Sequence, residues 1–506
     1  MPSFYLTNFG CRASQADGAA LKGQLLECGF EETPSAGDCD VAVLNTCTVT
    51  AAADAEVRQV IRRILRGNRR CRVLVTGCYA QRAPEEIAGL EGVAWVVGNS
   101  HKHTISTLLT GEFCAALPKR QLEATTGSPG SATAATHAYG VRAQIPDVDR
   151  GVPPEVPSSL VQLLDVQTTS VGARAQLTSP QVLVGEISES FHFIPTFADD
   201  RTRPTLKVQD GCNARCSFCI IPDVRGRSRS LAPDVVIDQV HRLHEAGYRE
   251  IVLSGINLGG YGRDLEPRIT FLGLLERILA ETAIARVRIS SIEPMDVTPA
   301  LIGLVTRESR LARHFHVPLQ SGSDRVLRLM NRRYWTAQYA ERILAMREQI
   351  PDCGIGADVM VGFPGETDDD HEISLRFIDS LPLTYVHVFP YSQRPNTAAA
   401  AMPNQVNGRI SHERGQQIRA AVDRKRGVFL DAQIGRVLSA LTLHQAHESA
   451  DTADDDRPSV ALTSNYLRML LSDPRVLPNT LVDARVRQVH AGQLLGTPLN
   501  QDLHPV

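Results

Sequence analysis

Cys212-Asn213-Ala214-Arg215-Cys216-Ser217-Phe218-Cys219 sets three thiols in a C-x3-C-x2-C spacing, just after a short apolar run at 205–209. Thiolates this close converge on one soft metal centre, and an iron–sulfur cluster is the natural occupant. The next cysteine downstream is the solitary Cys353, so three ligands leave one iron of a four-iron cube open to a small molecule. A zinc knuckle is the plain alternative. Zinc sites usually pair C-x2-4-C with a second Cys or His pair, and none follows at a zinc-finger distance. From this loop onward apolar runs at 205–209, 251–256, 287–292, 314–319, 354–361 and 385–390 alternate with helical patterns at 233–246, 270–283, 298–312, 336–350 and 368–380. Pro233 suits the first turn of its helix, where no N–H partner is lost, and Gly247 is placed to end it. Six β/α units of this kind predict a partial (β/α)6 barrel, open on one side, with ligands at the strand C-terminal ends. Those ends carry Ser254-Gly255-Ile256-Asn257, Glu293, Gln320-Ser321-Gly322-Ser323 and Phe363-Pro364-Gly365.

Upstream, the first hundred residues repeat one device. Phe4-Tyr5-Leu6-Thr7-Asn8 runs into Gly10-Cys11, Val41-Ala42-Val43-Leu44 into Asn45-Thr46-Cys47, and Val73-Leu74-Val75 into Thr76-Gly77-Cys78. Helical patterns at 16–28 and 51–66 lie between them. Strands alternating with helices predict a parallel α/β sheet whose strand C-terminal ends share one edge. Three thiols at three such ends can meet at a point, which makes Cys11, Cys47 and Cys78 a second candidate metal site. Buried cysteines are common in cores, but that does not explain why all three sit at the same place in the unit. Cys28, Cys39, Cys71, Cys114 and Cys353 lack this placement and read as core or surface thiols.

At 506 residues the chain is too long for a single core. No run of eighteen or more apolar residues suggests a membrane span, and the start lacks the pattern of a signal peptide. A cytoplasmic protein is therefore expected, with its eleven cysteines held reduced and available for metal. The net charge of −3 hides local basic patches. Residues 57–72 hold seven Arg and no acid, and Arg201, Arg203, Lys207, Arg215, Arg225, Arg227 and Arg229 crowd the 212–219 loop. Patches of this kind grip phosphates or are simply solvated faces.

Read together and in order, Cys11, Cys47 and Cys78, the 212–219 loop and several further landmarks are highly specific. They are Gly77-Cys78-Tyr79-Ala80-Gln81, Val97-Gly98-Asn99, Ile221-Pro222, Arg225-Gly226, Ser291-Ile292-Glu293-Pro294, Pro318-Leu319-Gln320-Ser321-Gly322-Ser323 and Val361-Gly362-Phe363-Pro364-Gly365-Glu366-Thr367. They resemble the methylthiotransferase family, radical S-adenosylmethionine (SAM) enzymes that insert sulfur and a methyl group into tRNA or a ribosomal protein. One departure is Ser14, where the family commonly has Asn. The resemblance implies two [4Fe–4S] clusters: one at Cys212, Cys216 and Cys219 that cleaves SAM to a 5′-deoxyadenosyl radical, and an auxiliary one at Cys11, Cys47 and Cys78 that holds the sulfur. Gly255, Glu293 and Ser323 are the expected SAM contacts; no catalytic side chain beyond these is named. The resemblance implies as partners a tRNA anticodon stem-loop, a reducing donor such as flavodoxin or ferredoxin, and a sulfur donor.

The implied organisation is an N-terminal α/β domain over 1–114, a Ser/Thr/Ala/Gly/Pro-rich linker or insertion over 115–200, a radical SAM domain over 201–428 and a small β-barrel over 429–506. Short strands are expected at 160–166 and 181–187 in the linker, and at 433–438, 459–462, 466–471 and 481–486 in the tail. The tail resembles the RNA-binding TRAM domain that closes the family, an OB-like barrel. Residues 431–506 nevertheless hold six Lys/Arg against nine Asp/Glu, including an acidic loop from Asp451 to Asp456. Gly77–Gln81, Gly255–Tyr261 and Val386–Ser392 look most like the branch acting on N6-threonylcarbamoyladenosine beside the anticodon. Rival readings are a methylthiotransferase for isopentenyl-adenosine in tRNA or for a ribosomal-protein aspartate. A non-catalytic, metal-bound RNA-binding protein would share the basic patches but would not need six β/α units.

Overall fold

The computed structural model describes residues 1–114, 179–187, 202–444, 458–473 and 476–499. In the N-terminal domain six parallel strands form one sheet: β1 (Ser3–Asn8), β2 (Glu31–Glu32), β3 (Val41–Thr46), β4 (Arg72–Gly77), β5 (Val93–Gly98) and β6 (Gln181–Leu183), in the order β2-β1-β3-β4-β5-β6. Every residue of β3 is buried, as expected for a central parallel strand covered on both faces. Val41 and Val43 pack with Phe4, Leu21, Leu25 and Trp95 on one face, and Ala42 and Leu44 pack with Val57, Ile61 and Val75 on the other. Helices α1 (Arg12–Glu27), α2 (Ala51–Gly67), α3 (Cys78–Arg82), α4 (Pro84–Ala88) and α5 (Ile105–Cys114) provide those layers. In α2 the Thr50 hydroxyl accepts from Ala53 N and caps the helix. Its Val57, Ile61 and Ile64 turn inward while Arg62, Arg63 and Arg66 stay exposed. Of the two strands expected in the middle segment, 181–187 appears as the short edge strand β6. Residues 160–166 lie outside the described residues, as does the acidic loop 451–456.

The central domain carries the six alternating units. Strands β7 (Thr205–Lys207), β10 (Glu250–Ser254) and β11 (Arg286–Ile289) form one parallel sheet, and β12 (His314–His316), β13 (Gly354–Val361) and β14 (Tyr385–Pro390) a second. Parallel bridges at Val287–Leu311 and Ser291–His316 join the two halves. A short antiparallel pair, β8 (Gln209–Asp210) with β9 (Arg229–Ser230), brackets the thiol loop and its helix α6 (Ile221–Arg225). The outer layer is α7 (Pro233–Glu245), α8 (Phe271–Glu281), α9 (Pro299–Arg307), α10 (Asp324–Leu329), α11 (Thr336–Gln349) and α12 (Asp368–Ser380). A 24-residue helix, α13 (Gly408–Asp431), lies beyond the helical patterns expected from the sequence. It places Ile418 and Val422 in the central core and Leu430 in the core of the C-terminal domain, so one rod serves both.

The tail is a closed five-stranded barrel, β15 (Val437–Thr442), β16 (Ser459–Thr463), β17 (Arg468–Leu471), β18 (Leu481–His490) and β19 (Gln493–Pro498). The first strand starts four residues later than expected, and β19 closes the barrel beside both β17 and β18. Arg288, at 0% exposure, donates to the carbonyls of Ser464 (3.0 Å) and Thr463 (3.1 Å) and so pins this barrel to the central one. Glu250, also at 0%, accepts from Arg288 Nε at 2.7 Å and lies near Arg286 and Arg203. Burial alone would raise the Glu250 carboxyl, but Arg288, Arg203 and Arg286 pull it down to about 2. Glu250→Ala should therefore cost about 3–5 kcal/mol at neutral pH, because three cations lose their anion. In the wild type the ion pairing is fully present above the unfolded carboxylate pKa. Its ~3 kcal/mol is lost as pH falls from about 4.5 toward 2. Urea unfolding at pH 7 and pH 3 measures both; equal stability of variant and wild type at pH 7 would remove the ion pair from the account.

Candidate active site

The N-terminal thiols follow directly from the topology. β1, β3 and β4 are neighbours, with Asn8 beside Asn45 and Thr46 beside Gly77. Cys11 follows the end of β1 and caps α1, Cys47 follows β3, and Cys78 follows β4 as the first residue of α3. Gly10 sits at φ +91°, and a Cβ there would lie 2.3 Å from Cys47 Cβ and 2.6 Å from its Sγ. Only glycine lets the Cys11 turn come so close to Cys47. Asn99 Nδ2 points at Cys78 Sγ (3.5 Å), and Val49 N at Cys47 Sγ (3.5 Å). Burial, with the neighbouring Cys78 and Cys11, pushes the Cys47 thiol up to about 12. A metal centre that takes the protons' place relieves that repulsion. Ser14, the departure from the family pattern, lies with its Oγ 3.7 Å from Cys11 Sγ.

In the central domain, Cys212 N donates to Gly226 O (3.0 Å) and Cys219 N to Cys216 O (3.1 Å), which folds the loop back on itself. Arg332 Nη1 lies 3.2 Å from Cys216 Sγ, and Asn257 Nδ2 is 4.0 Å from Cys212 Sγ. Burial pushes the Cys219 thiol up to about 12. The two thiol sites are locked to each other. Cys78 packs against Ile220 and Val224, and Asn99 donates to Val224 O at 2.8 Å. Behind them Arg225, 2% exposed, donates to both oxygens of Asp210 (3.0 Å each), to Asp17 (3.0 Å) and to Ser14 Oγ (3.4 Å). Lys207 joins Asp17 to Asp210, and Lys102 reaches Asp17 (3.0 Å) and Asn45 (3.2 Å). Arg225 and Lys207 hold the Asp210 carboxyl down to about 2 against its burial. Three cations to two carboxylates leave net positive charge beside the thiols, and Arg225 interacts electrostatically with Cys78 and Cys11. That sign suits thiolate ligands.

A cavity of about 600 Å³ lies where the domains meet, and Cys11, Cys212, Cys216 and Cys219 all line it. Gly255 lines it too; a Cβ there would lie 2.9 Å from Gln209 Oε1 and from Leu258 Cδ2. Glu293 lines it while paired with Arg332, so the same arginine holds Glu293 and Cys216. Burial raises the Glu293 carboxyl despite that partner. Ser323 is a correction: it is buried outside the lining, its hydroxyl caps α10 through Val326 N and donates to Asp370 (2.7 Å). From the same turn it is Gln320 that reaches the cavity, at φ +64°, with its buried Oε1 lacking a hydrogen-bond partner. Asn257 Oδ1 is likewise buried without one. The orphaned acceptor of cavity-lining Gln320 fits the ammonium or a ribose hydroxyl of SAM, and three thiols at each site fit an iron–sulfur cluster.

The arginines divide. Lys207, Arg225 and Arg203 are committed to carboxylates and do not form a phosphate surface, whereas Arg215 and Arg227 stay exposed; Arg201 lies outside the described residues. On the N-terminal domain, Arg58, Arg62, Arg63, Arg66 and Arg69 line a groove of about 1070 Å³. Of the remaining cysteines, Cys39 and Cys71 put their Sγ atoms 3.4 Å apart in the core, Cys353 is buried and Cys28 exposed. Arg12, Arg332, His314 and His316 are not among the residues the sequence marks as functional, His387 enters only within Val386–Ser392, and Arg225, read as part of a phosphate-gripping patch, is instead buried against Asp17 and Asp210. Arg225 and Arg332 stand in runs of other arginines, and only the fold separates them.

Residues 206–378 match the model of the radical SAM superfamily, and residues 3–98 that of the uncharacterised protein family UPF0004. The chain is 32% identical over 478 residues to the threonylcarbamoyladenosine tRNA methylthiotransferase MtaB of Bacillus subtilis (strain 168), covering 94% of this chain and 92% of the relative. The MtaB of Treponema pallidum (strain Nichols) matches at 32% over 511 residues, 98% of this chain and 100% of the relative. Among solved structures, the radical S-adenosylmethionine methyltransferase TsrM from Kitasatospora setae superposes with TM-score 0.50 and 15% identity, covering 79% of this chain and 77% of that one, a likeness of fold alone. Along nearly its full length, this chain belongs to the radical SAM methylthiotransferase family, in the threonylcarbamoyladenosine branch.

Proposed function

We propose that this protein converts N6-threonylcarbamoyladenosine beside the tRNA anticodon to its 2-methylthio derivative, using two [4Fe–4S] clusters and SAM. The carrying observation is that Cys11, from the N-terminal sheet edge, lines the same cavity as Cys212, Cys216 and Cys219, so two three-thiol sites serve one reaction space. Cys212, Cys216 and Cys219 would hold the SAM-cleaving cluster, and Cys11, Cys47 and Cys78 the auxiliary one. When bound, the clusters and SAM supply radical cleavage of an inert aromatic C–H bond and the sulfur and methyl groups, chemistry no side chain provides. The chain's own residues bind and orient. Gln320 would offer SAM an acceptor, Gly255 keeps the wall close, and Arg332 fixes Glu293 against the thiol loop. The Asp17–Lys102–Lys207–Arg225–Asp210 cluster holds the two thiol sites in register. A reducing electron donor such as flavodoxin or ferredoxin, a sulfur donor and a cytoplasmic setting complete the reading. In its support, no helix among the described residues is long and apolar enough to cross a membrane.

The test is a competition assay with reconstituted enzyme. Threonylcarbamoyl-tRNA should be methylthiolated, whereas isopentenyl-adenosine tRNA and ribosomal protein should remain unmodified. Preferential modification of either competitor would overturn the assignment. The groove on α2 is the expected phosphate contact. Arg62→Ala, Arg63→Ala and Arg66→Ala combined should weaken tRNA binding and lower the slope of log K against log salt by roughly 2–3. The identity of the modified nucleoside should not change, because phosphate contacts carry no base information. Filter binding across a salt series reads this out, and an unchanged slope would remove the groove from the RNA path.

A further inference from the structure

Part of the cavity wall brings Arg12 of the N-terminal domain together with His316, Asp358, Tyr385 and His387 of the central barrel, and Tyr466 of the C-terminal barrel backs Arg12. Arg12 Nη2 donates to Tyr466 Oη (3.1 Å), and its guanidinium stands 5.9 Å from that ring's centroid. Tyr466 holds a left-handed backbone at φ +69°, rare for an aromatic residue. Its ring stacks on His314 at 4.4 Å and lies 5.6 Å from Tyr385. A strained residue kept in place by packing on two sides is a built feature. Asp358 Oδ1 is 3.2 Å from both His316 Nε2 and His387 Nδ1, while Ser291 Oγ is 2.7 Å from His316 Nδ1. His387 is exposed, and its other nitrogen has no hydrogen-bond partner among the described residues.

The charges along this wall are uneven. Arg332, the other arginine of the cavity, is neutralised by Glu293, and Asp358 is shared by two histidines. Arg12 has no carboxylate partner among the described residues. A guanidinium facing a cavity without an anion is matched to an anionic ligand group. An isopentenyl arm has no polar atom and would leave these groups unpaired, whereas a threonylcarbamoyl arm brings a carboxylate, a hydroxyl and a ureido group. We propose that Arg12, braced by Tyr466, binds the carboxylate of the substrate's amino-acid arm, with His387 of the same cavity taking the hydroxyl. This subsite rests on the threonylcarbamoyladenosine reading and names what selects that nucleoside.

The test uses enzyme carrying both clusters and two anticodon stem-loops, one with threonylcarbamoyladenosine and one with its carboxylate converted to a primary carboxamide. Wild type should prefer the carboxylate in kcat/KM by about 10–100-fold, the range of a hydrogen bond to a charged group. Arg12→Gln should shrink that preference to about threefold or less, and Arg12→Lys, which keeps the charge, should retain most of it. Equal rates on the two stem-loops with wild type, or a full preference in Arg12→Gln, would overturn the subsite. The wild-type comparison needs no variant, so it stands even if Arg12→Gln fails to fold. No modification of the threonylcarbamoyl stem-loop at all would overturn the assigned substrate; modification without a carboxylate preference overturns the subsite alone.

Discussion

Replacing Cys212, Cys216 and Cys219 together with Ala should leave about four of the ~8 irons of the reconstituted wild type and abolish reductive cleavage of SAM. The three thiols belong to one loop, closed by the Cys212–Gly226 and Cys216–Cys219 backbone bonds, and all three line the cavity. Alanine offers no ligand, and Cys353, buried beside β13, is not among the residues lining the cavity. The other three thiols hang from β1, β3 and β4 in a sheet with its own core, so their iron should survive the change. Iron analysis and 5′-deoxyadenosine release measure the two halves of this expectation. Zinc in place of iron, or full iron in the triple variant, would contradict it.

The second large effect separates the two sites. Cys11→Ala, Cys47→Ala or Cys78→Ala should eliminate methylthio product, a fall of at least about 10²-fold, while 5′-deoxyadenosine is still formed. The reason is structural. Of the three, only Cys11 lines the cavity; Cys47 and Cys78 are 4% and 2% exposed and lie behind it. Removing one of them leaves the 212–219 loop its own backbone bonds and its Arg332 contact. The Cys78 variant also loses packing against Ile220 and Val224, so its SAM cleavage should fall further than that of the Cys11 variant. Full methylthio product from any of the three would make the N-terminal thiols merely structural.

Much of the fold was legible because its signals are local. The apolar runs at 251–256, 354–361 and 385–390 fall on β10, β13 and β14, and the pattern at 368–380 matches α12 (Asp368–Ser380). The strand-end placement of Cys11, Cys47 and Cys78 was readable because parallel topology brings all strand C-termini to one edge. Helix α13 was not, since its first inward positions, Ser411, Arg414 and Gly415, are small or polar, and the apolar ones, Ile418, Ala421 and Val422, begin only near its middle. Glu293, an expected SAM contact, lines the cavity and also pairs with Arg332, a partner 39 residues away that no spacing rule reveals. Ser323 misled because a serine in a glycine-rich turn reads equally well as a ligand contact or as a helix cap. Arg12 and Tyr466 stand 454 residues apart, and no spacing rule connects them.

Nucleoside mass spectrometry of tRNA from cells with and without the gene tests the central claim most directly. Loss of the gene should abolish 2-methylthio-N6-threonylcarbamoyladenosine, let N6-threonylcarbamoyladenosine accumulate in its place, and leave methylthiolated isopentenyl-adenosine unchanged. An unaltered threonylcarbamoyladenosine profile, or loss of the isopentenyl product instead, would contradict it.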